Sequence, residues 1–146
     1  MITEAVPADV DDLSKLFDAY RQFYHCSADL GSAQSYVKER IAQGPTRFFV
    51  SRDRVEINGF VHLLPSFDTM AMKPMWVLED AYVAPRSRCL GIGAALIRFA
   101  ENIARATGAS RLTLSTAHTN HRAQRVYERQ GWVLDTKFRY YHRILD

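Results

Sequence analysis

The 146-residue chain predicts a mixed α/β fold around one central sheet, in a single domain over residues 1–146. Three observations carry that expectation. Apolar residues recur at helical spacing in four segments, and short runs rich in β-branched and aromatic residues stand between them. No internal repeat, linker or low-complexity stretch divides the chain.

The elements follow in order. Residues 2–6 read as a short first strand. From Pro7, the apolar residues Val10, Leu13, Leu16, Phe17 and Tyr20 keep a helical period, and Asp9, Asp11 and Asp12 complement the positive end of the helix dipole. A second helix spans 32–43, with Tyr36, Val37, Arg40 and Ile41 on neighbouring turns, and Gly44-Pro45 ends it. "RFFVS" and "EINGFVHLL" flank Asp53-Arg54 as two strands joined by a tight turn, and "PMWVLEDAYV" is a third, long strand. The connector 65–73, with Phe67, Met70 and Met72, is a hairpin tip, a substrate lip or a dimer contact. Packing is the expected use of its methionines. Leu96, Ala100, Ile103 and Ala104 form the stripe of a third helix, which Gly108 closes. "RLTLST" is a strand. Asn120 then caps a shorter helix ending at Gly131, with Ala123 and Tyr127 one turn apart on one face. "WVL" and "FRYYHRIL" read as two final strands.

Composition excludes several classes. Apolar residues make up 47% and charged residues 24%, the balance of an ordinary globular chain. No apolar run approaches the roughly 20 residues that span a bilayer, so no membrane partner is expected. The acidic N-terminus lacks a signal pattern, which predicts a cytoplasmic protein. Cys26 and Cys89 form no metal-like pair and no disulfide framework; Cys26 reads as a small core or surface thiol. His118 and His121 have no nearby cysteine or carboxylate partners, so no metal is expected.

The net charge of +3 is unevenly spread. Residues 1–80 carry 8 Lys/Arg against 12 Asp/Glu, and residues 81–146 carry 11 against 4. Either the second half meets an anionic partner and the first a cationic one, or these are two solvated faces. The basic, aromatic tail raises nucleic-acid binding. Its alternation suits a strand with one buried face, and no nucleic-acid motif accompanies it, so no such partner is expected.

Three stretches carry chemistry. In "RSRCLGIGAAL" a glycine pair lies between a strand and a helix. Helix-opening N–H groups lack internal partners, and glycines let an anion approach them. Arg86 and Arg88 add charge. A dinucleotide fingerprint needs a third small residue where this chain has Leu96, and a P-loop needs a Gly-Lys-Ser/Thr run that is absent. Arg88-x-x-Gly91-x-Gly93 remains, as an anion cradle or a glycine-eased turn.

In "NHRAQRVY", Asn120-x-x-Ala123-x-x-x-Tyr127 sets a phenol beside a small residue. A phenol stays protonated at neutral pH and can serve a leaving thiolate; the alternative is a cap and a core tyrosine. In "LED", Glu79 and Asp80 are adjacent on a strand, so alternation sends them to opposite sides. Acids within an apolar strand call for a polar cleft, a cationic ligand or a salt bridge.

Together these residues resemble the GNAT N-acetyltransferase family, over nearly the whole chain and most strongly across 76–132. "LEDAYV" is similar to the strand of diamine acetyltransferases, and "NHRAQRVY" to a branch holding histone and D-amino-acid acetyltransferases. The resemblance implies a mixed, mostly antiparallel sheet with splayed strands, flanked by about four helices. It implies acetyl-CoA as cosubstrate, its pyrophosphate on Arg88, Cys89, Leu90, Gly91, Ile92, Gly93 and Ala94. The pantetheine arm would pair with Tyr82 and Val83 and meet Asn120 from the other side.

Tyr127 would protonate the departing thiolate, and Glu79, with Asp80 second, would free the acceptor amine of its proton, directly or through water. The acceptor implied is a primary amine, a small cationic one given the acidic first half. A homodimer is also implied. The competing reading is a non-catalytic acyl-CoA-binding sensor.

Overall fold

The computed structural model describes residues 1–145. The order is β1 (Ile2–Glu4), a short 3-10 turn, α1 (Val10–Phe23), α2 (Leu30–Gln43), β2 (Arg47–Asp53), β3 (Glu56–Asp68) and β4 (Lys73–Val83). A second 3-10 turn, α3 (Ile92–Ala106), β5 (Leu112–Leu114) and α4 (His121–Arg129) follow. Two compact units are present: Met1–Ser115, which holds the whole sheet, and the segment from Thr116 onward, which holds α4.

The sheet runs β1-β2-β3-β4-β5. Its first three pairings are antiparallel and β4–β5 is parallel, so a crossover must join those two strands. Helix α3 supplies it. Alternation along β2 assigns the faces. Phe48 and Val50 join Leu13, Phe17, Val37 and Phe60 in the core under α1 and α2. Phe49 points the other way and meets Phe99 of α3, ring centroids 5.1 Å apart. Of the α3 stripe seen in the sequence, Leu96, Ala100 and Ala104 are buried and Ile103 is half-buried, while Ile97 is buried in addition. Leu96 and Ile97 contribute about 1.5–3 kcal/mol each.

Charged side chains fix how the helices enter. Buried Asp9 accepts the Val6 N–H at 2.9 Å and pairs with Arg52 of β2 at 2.7 Å. Asp18, buried on α1, accepts the Asp29 N–H at 3.1 Å, and Asp29 in turn caps α2 through the Ser32 N–H. The α1–α2 connection is thereby tied at both ends.

Two β-bulges interrupt the ladders. In β3, Asn58 is the extra residue between the Ser51–Gly59 and Arg52–Ile57 pairs, and its carbonyl accepts the Ala84 N–H at 2.9 Å. In β4, His62 pairs with Asp80 and Leu63 with Leu78, leaving Glu79 as the inserted residue. Parallel pairing of β4 with β5 ends at Leu78 and Leu114, so β4 continues through Val83 with a ladder on one side only among the described residues.

Two expectations need correction. The methionines of the β3–β4 hairpin tip are not packed: Met70 and Met72 are 94% and 90% exposed. The two final strands do not form among the described residues, and 132–145 carry no ladder. A side chain takes the backbone donors between the two runs. Asp135 Oδ1 accepts the N–H groups of Lys137 and Phe138, closing a local turn. Val133, Leu134, Tyr140, Tyr141 and Ile144 are all exposed, so the alternation has no buried face to match.

Candidate active site

The glycine segment leaves β4 through Pro85–Ser87 and turns into α3 with two residues in the left-handed region, Cys89 at φ 65° and Gly91 at φ 79°. The first intrahelical bond runs from the Ala95 N–H to the Gly91 carbonyl, so earlier N–H groups lie at the open end of the helix. The glycines differ in what they do for the chain itself. Gly91 is demanded by its φ. A Cβ on Gly93 would meet only Val83 Cγ2, at an ordinary 3.7 Å. Packing does not require a glycine there. The segment fits a pyrophosphate.

The two arginines are occupied differently. Arg86 forms an exposed pair with Glu56 at 2.6 Å. Arg88 donates from Nε to the Val83 carbonyl at 3.0 Å and lies over the rings of Tyr82 and Phe23, 5.2 and 5.7 Å from their centroids. Arg88 thus braces the turn while keeping its positive charge beside it. Tyr82 and Val83 pair backbone-to-backbone with Phe60 and Gly59 of β3. On the β5 side no strand pairs with them among the described residues, which suits an extended ligand arm.

The bulge changes what β4 presents. His62 and Asp80 share one face, Leu63 and Leu78 the other. Trp76 and Leu78 therefore look toward α3, where Trp76 Nε1 donates to Thr107 Oγ1 at 2.8 Å. Asp80 looks toward α1, and its Oδ2 is 2.8 Å from His62 Nδ1. The Tyr20 phenol of α1 faces Asp80. Burial, then the charge and hydrogen bond of Asp80, push the Tyr20 phenol far above its ordinary value, and Glu79 adds to the effect. Strict alternation does not hold at the acid pair, because the register shifts there. Glu79 is exposed and has no ion-pair partner among the described residues, whereas the Asp80 side chain is only 15% exposed.

In the second unit, Asn120 Oδ1 accepts the Ala123 N–H at 3.3 Å, the expected cap of α4. Gln124 closes the preceding turn by donating to the carbonyls of Ala117 and His118. Ala123, Val126 and Tyr127 are half-buried along one side of the helix. The Tyr127 ring lies 6.0 Å from that of Trp132, whose N–H donates to the Tyr127 carbonyl at 3.0 Å.

Unit one therefore brings Glu79, Asp80, Tyr82, Val83 and the segment from Arg88 to Ala94 onto one strand–turn–helix connection. Asn120 and Tyr127 lie together on α4. Sequence reasoning missed Tyr20 and His62. Tyr20 was indistinguishable from its apolar neighbours on the α1 stripe, and the only signal for His62 was a lone histidine inside an apolar strand.

The family model described as Acetyltransferase (GNAT) family matches residues 11–132. The chain belongs to this family. It is an acyltransferase, and members of the GNAT family generally take their acetyl group from acetyl-CoA. The uncharacterized N-acetyltransferase YhfO of Bacillus subtilis (strain 168) is 34% identical over 140 residues, covering 96% of this chain and 94% of the relative. A D-amino-acid N-acetyltransferase of Saccharomyces cerevisiae is 32% identical over 77 residues, 53% of this chain and 48% of the relative. The crystal structure of a probable acetyltransferase superposes with a TM-score of 0.93 at 31% identity, covering 100% of this chain and 98% of the other. The mixed, mostly antiparallel GNAT sheet with four helices is the fold class that the sequence predicted, with five strands among the described residues where seven were expected. No helix is long and apolar enough to cross a membrane among the described residues.

Proposed function

We propose that this GNAT acetyltransferase moves the acetyl group of acetyl-CoA directly onto a primary amine, a small cationic one, and that residues 1–146 act as a single N-acetyltransferase domain. The observation that carries this reading is the glycine turn opening α3 directly off bulged β4. It joins an anion cradle, a one-sided strand edge and an acid pair within residues 79–94.

The segment from Arg88 to Ala94 holds the pyrophosphate, the Tyr82–Val83 edge pairs with the pantetheine arm, and Asn120 contacts that arm. Bound acetyl-CoA supplies an activated acyl carbon and a thiolate leaving group. The acceptor arrives as an ammonium, since an alkyl amine has a pKa of about 10.4. Glu79 takes one ammonium proton, directly or through water, and passes it to solvent; the amine nitrogen forms the new C–N bond, its second proton leaves to water, and the C–S bond breaks. Tyr127 gives its phenolic proton to the departing sulfur and regains one from solvent. The products are the N-acetyl amine and free CoA thiol. The acidic first half of the chain supports a cationic acceptor.

Exposed thiols at Cys26 and Cys89 support a cytoplasmic setting, and the bare apolar tip at Phe67, Met70 and Met72 supports a homodimer. The test is a thiol-release assay with acetyl-CoA over polyamines, amino acids, aminoglycosides and histone peptides. Release that depends on a small cationic amine is expected. Stabilisation by acetyl-CoA with no release from any acceptor would leave a sensor in place of an enzyme.

A further inference from the structure

His62 of β3 holds Asp80 at 2.8 Å, Tyr20 of α1 faces the same carboxylate, and both groups are fixed by their own surroundings. The His62 ring is 98% buried and lies flat on Phe48, centroids 3.8 Å apart and planes 1° from parallel. Tyr20 packs edge-on against Phe60 and Tyr24.

The buried imidazole can present itself in only one way at low cost. Its Nε2 has no hydrogen-bond partner and is out of reach of water. A proton there would be a buried donor with nothing to receive it, whereas a bare lone pair is less costly. The ring proton therefore belongs on Nδ1, which donates to Asp80 Oδ2 at 2.8 Å. Tyr20, kept as a phenol by its burial and by Asp80, faces the same carboxylate with its proton in place.

We infer that His62 and Tyr20 are positioning residues: they clamp Asp80 as a fixed hydrogen-bond acceptor for the nitrogen of the incoming amine, and leave proton removal to Glu79. The inference rests on the acetyltransfer reading given above. A carboxylate offers about four lone-pair sites. His62 takes one and the Tyr20 phenol faces a second, and the remainder, at the 15% of Asp80 still exposed, can receive an N–H of the acceptor. A proton arriving on Asp80 would compete with a donor already seated there. Glu79 carries no such donors, stands one residue away on the bulge, and is open to the water that must carry the proton off. The two acids of "LED" thus divide the work, one holding and one deprotonating.

Three variants test the clamp in steady-state kinetics. His62→Phe keeps a flat ring on Phe48 and removes the donor. His62→Asn returns an N–H near the position of Nδ1. Tyr20→Phe removes a single hydroxyl. The phenylalanine variants are expected to raise the amine KM about tenfold, with the smaller change in kcat and none in the KM for acetyl-CoA, and the asparagine variant to recover most of the loss. A purely structural role would lower the active fraction and spare the amine KM. An unmoved amine KM in both phenylalanine variants overturns the inference.

Nitrogen NMR of the imidazole in the wild-type protein gives a reading that needs no turnover. A proton on Nδ1 and a bare Nε2 are expected, and the reverse tautomer overturns the clamp in an otherwise active enzyme. Absence of thiol release from the wild type with every amine would instead overturn the acetyltransfer reading, and the amine-holding role with it.

Discussion

Gly59 of β3 and Leu96 of α3 approach so closely that a Cβ on the glycine would stand 3.1 Å from Leu96 Cδ1, with Ile92 Cγ2 at 3.2 Å and the Tyr82 carbonyl at 3.3 Å. The glycine is there for the helix that crosses it. Gly59→Ala gains about 0.5–1 kcal/mol from the stiffer unfolded chain, but overpacking costs about 1–3 kcal/mol. A net loss of stability is expected in urea unfolding, larger for Gly59→Val. An alanine variant as stable as wild type would show that α3 packs more loosely than these distances state.

Gly93 makes the opposite prediction. Its Cβ position is open to the chain, and alanine is the better helix former by up to about 1 kcal/mol. Gly93→Ala should keep or raise the melting temperature while weakening acetyl-CoA at least about tenfold in calorimetric titration. Undiminished affinity would remove the pyrophosphate from this turn.

Tyr127→Phe keeps the ring beside Trp132 and deletes the proposed acid. Under conditions where chemistry limits turnover, kcat should fall about 10²–10⁴-fold, with acetyl-CoA affinity retained. An unchanged kcat would assign the phenol to packing alone.

Glu4 and Arg47 join β1 to β2 by two bonds of 2.8 Å, and that hydrogen bonding holds the Glu4 carboxyl below its ordinary value. A carboxyl depressed by folding contributes stability above its unfolded value near 4.5, and the contribution disappears as pH falls through the folded value. The pair is partly exposed, so the contribution is about 0.2–1 kcal/mol. Glu4→Gln should lose that amount at pH 7 and nothing at pH 2, read as the difference between the two unfolding curves.

Local signals were the ones most open to sequence reading. A helix stripe at Leu96 and Ala100, a cap at Asn120 and stops at Gly44 and Gly108 each act within a turn of themselves, and each is found where it was expected. The glycine pair was legible for the same reason. What escaped depended on partners distant in sequence. Nothing in "LED" announces a bulge, because the bulge exists only in the register of β4 against His62 and Leu63. The tail alternates as a strand should, yet alternation names no neighbour, and Asp135 offered its backbone a local alternative. Met70 and Met72 were assigned to packing on side-chain type alone, and the tip of a hairpin has nothing to pack them against.

The inserted Glu79 also acts as a change of parity. Before it, even-numbered residues of β4 such as Trp76 and Leu78 belong to the α3 side; after it, even-numbered Asp80 and Tyr82 belong to the α1 side. Deleting that single codon would leave every other residue unchanged and yield a more regular strand. Asp80 would still stand opposite His62 and Leu78 opposite Leu63, because the inserted residue is all that separates the two pairs. The strand would lose the Glu79 carboxylate alone, and the parity of its two halves would agree.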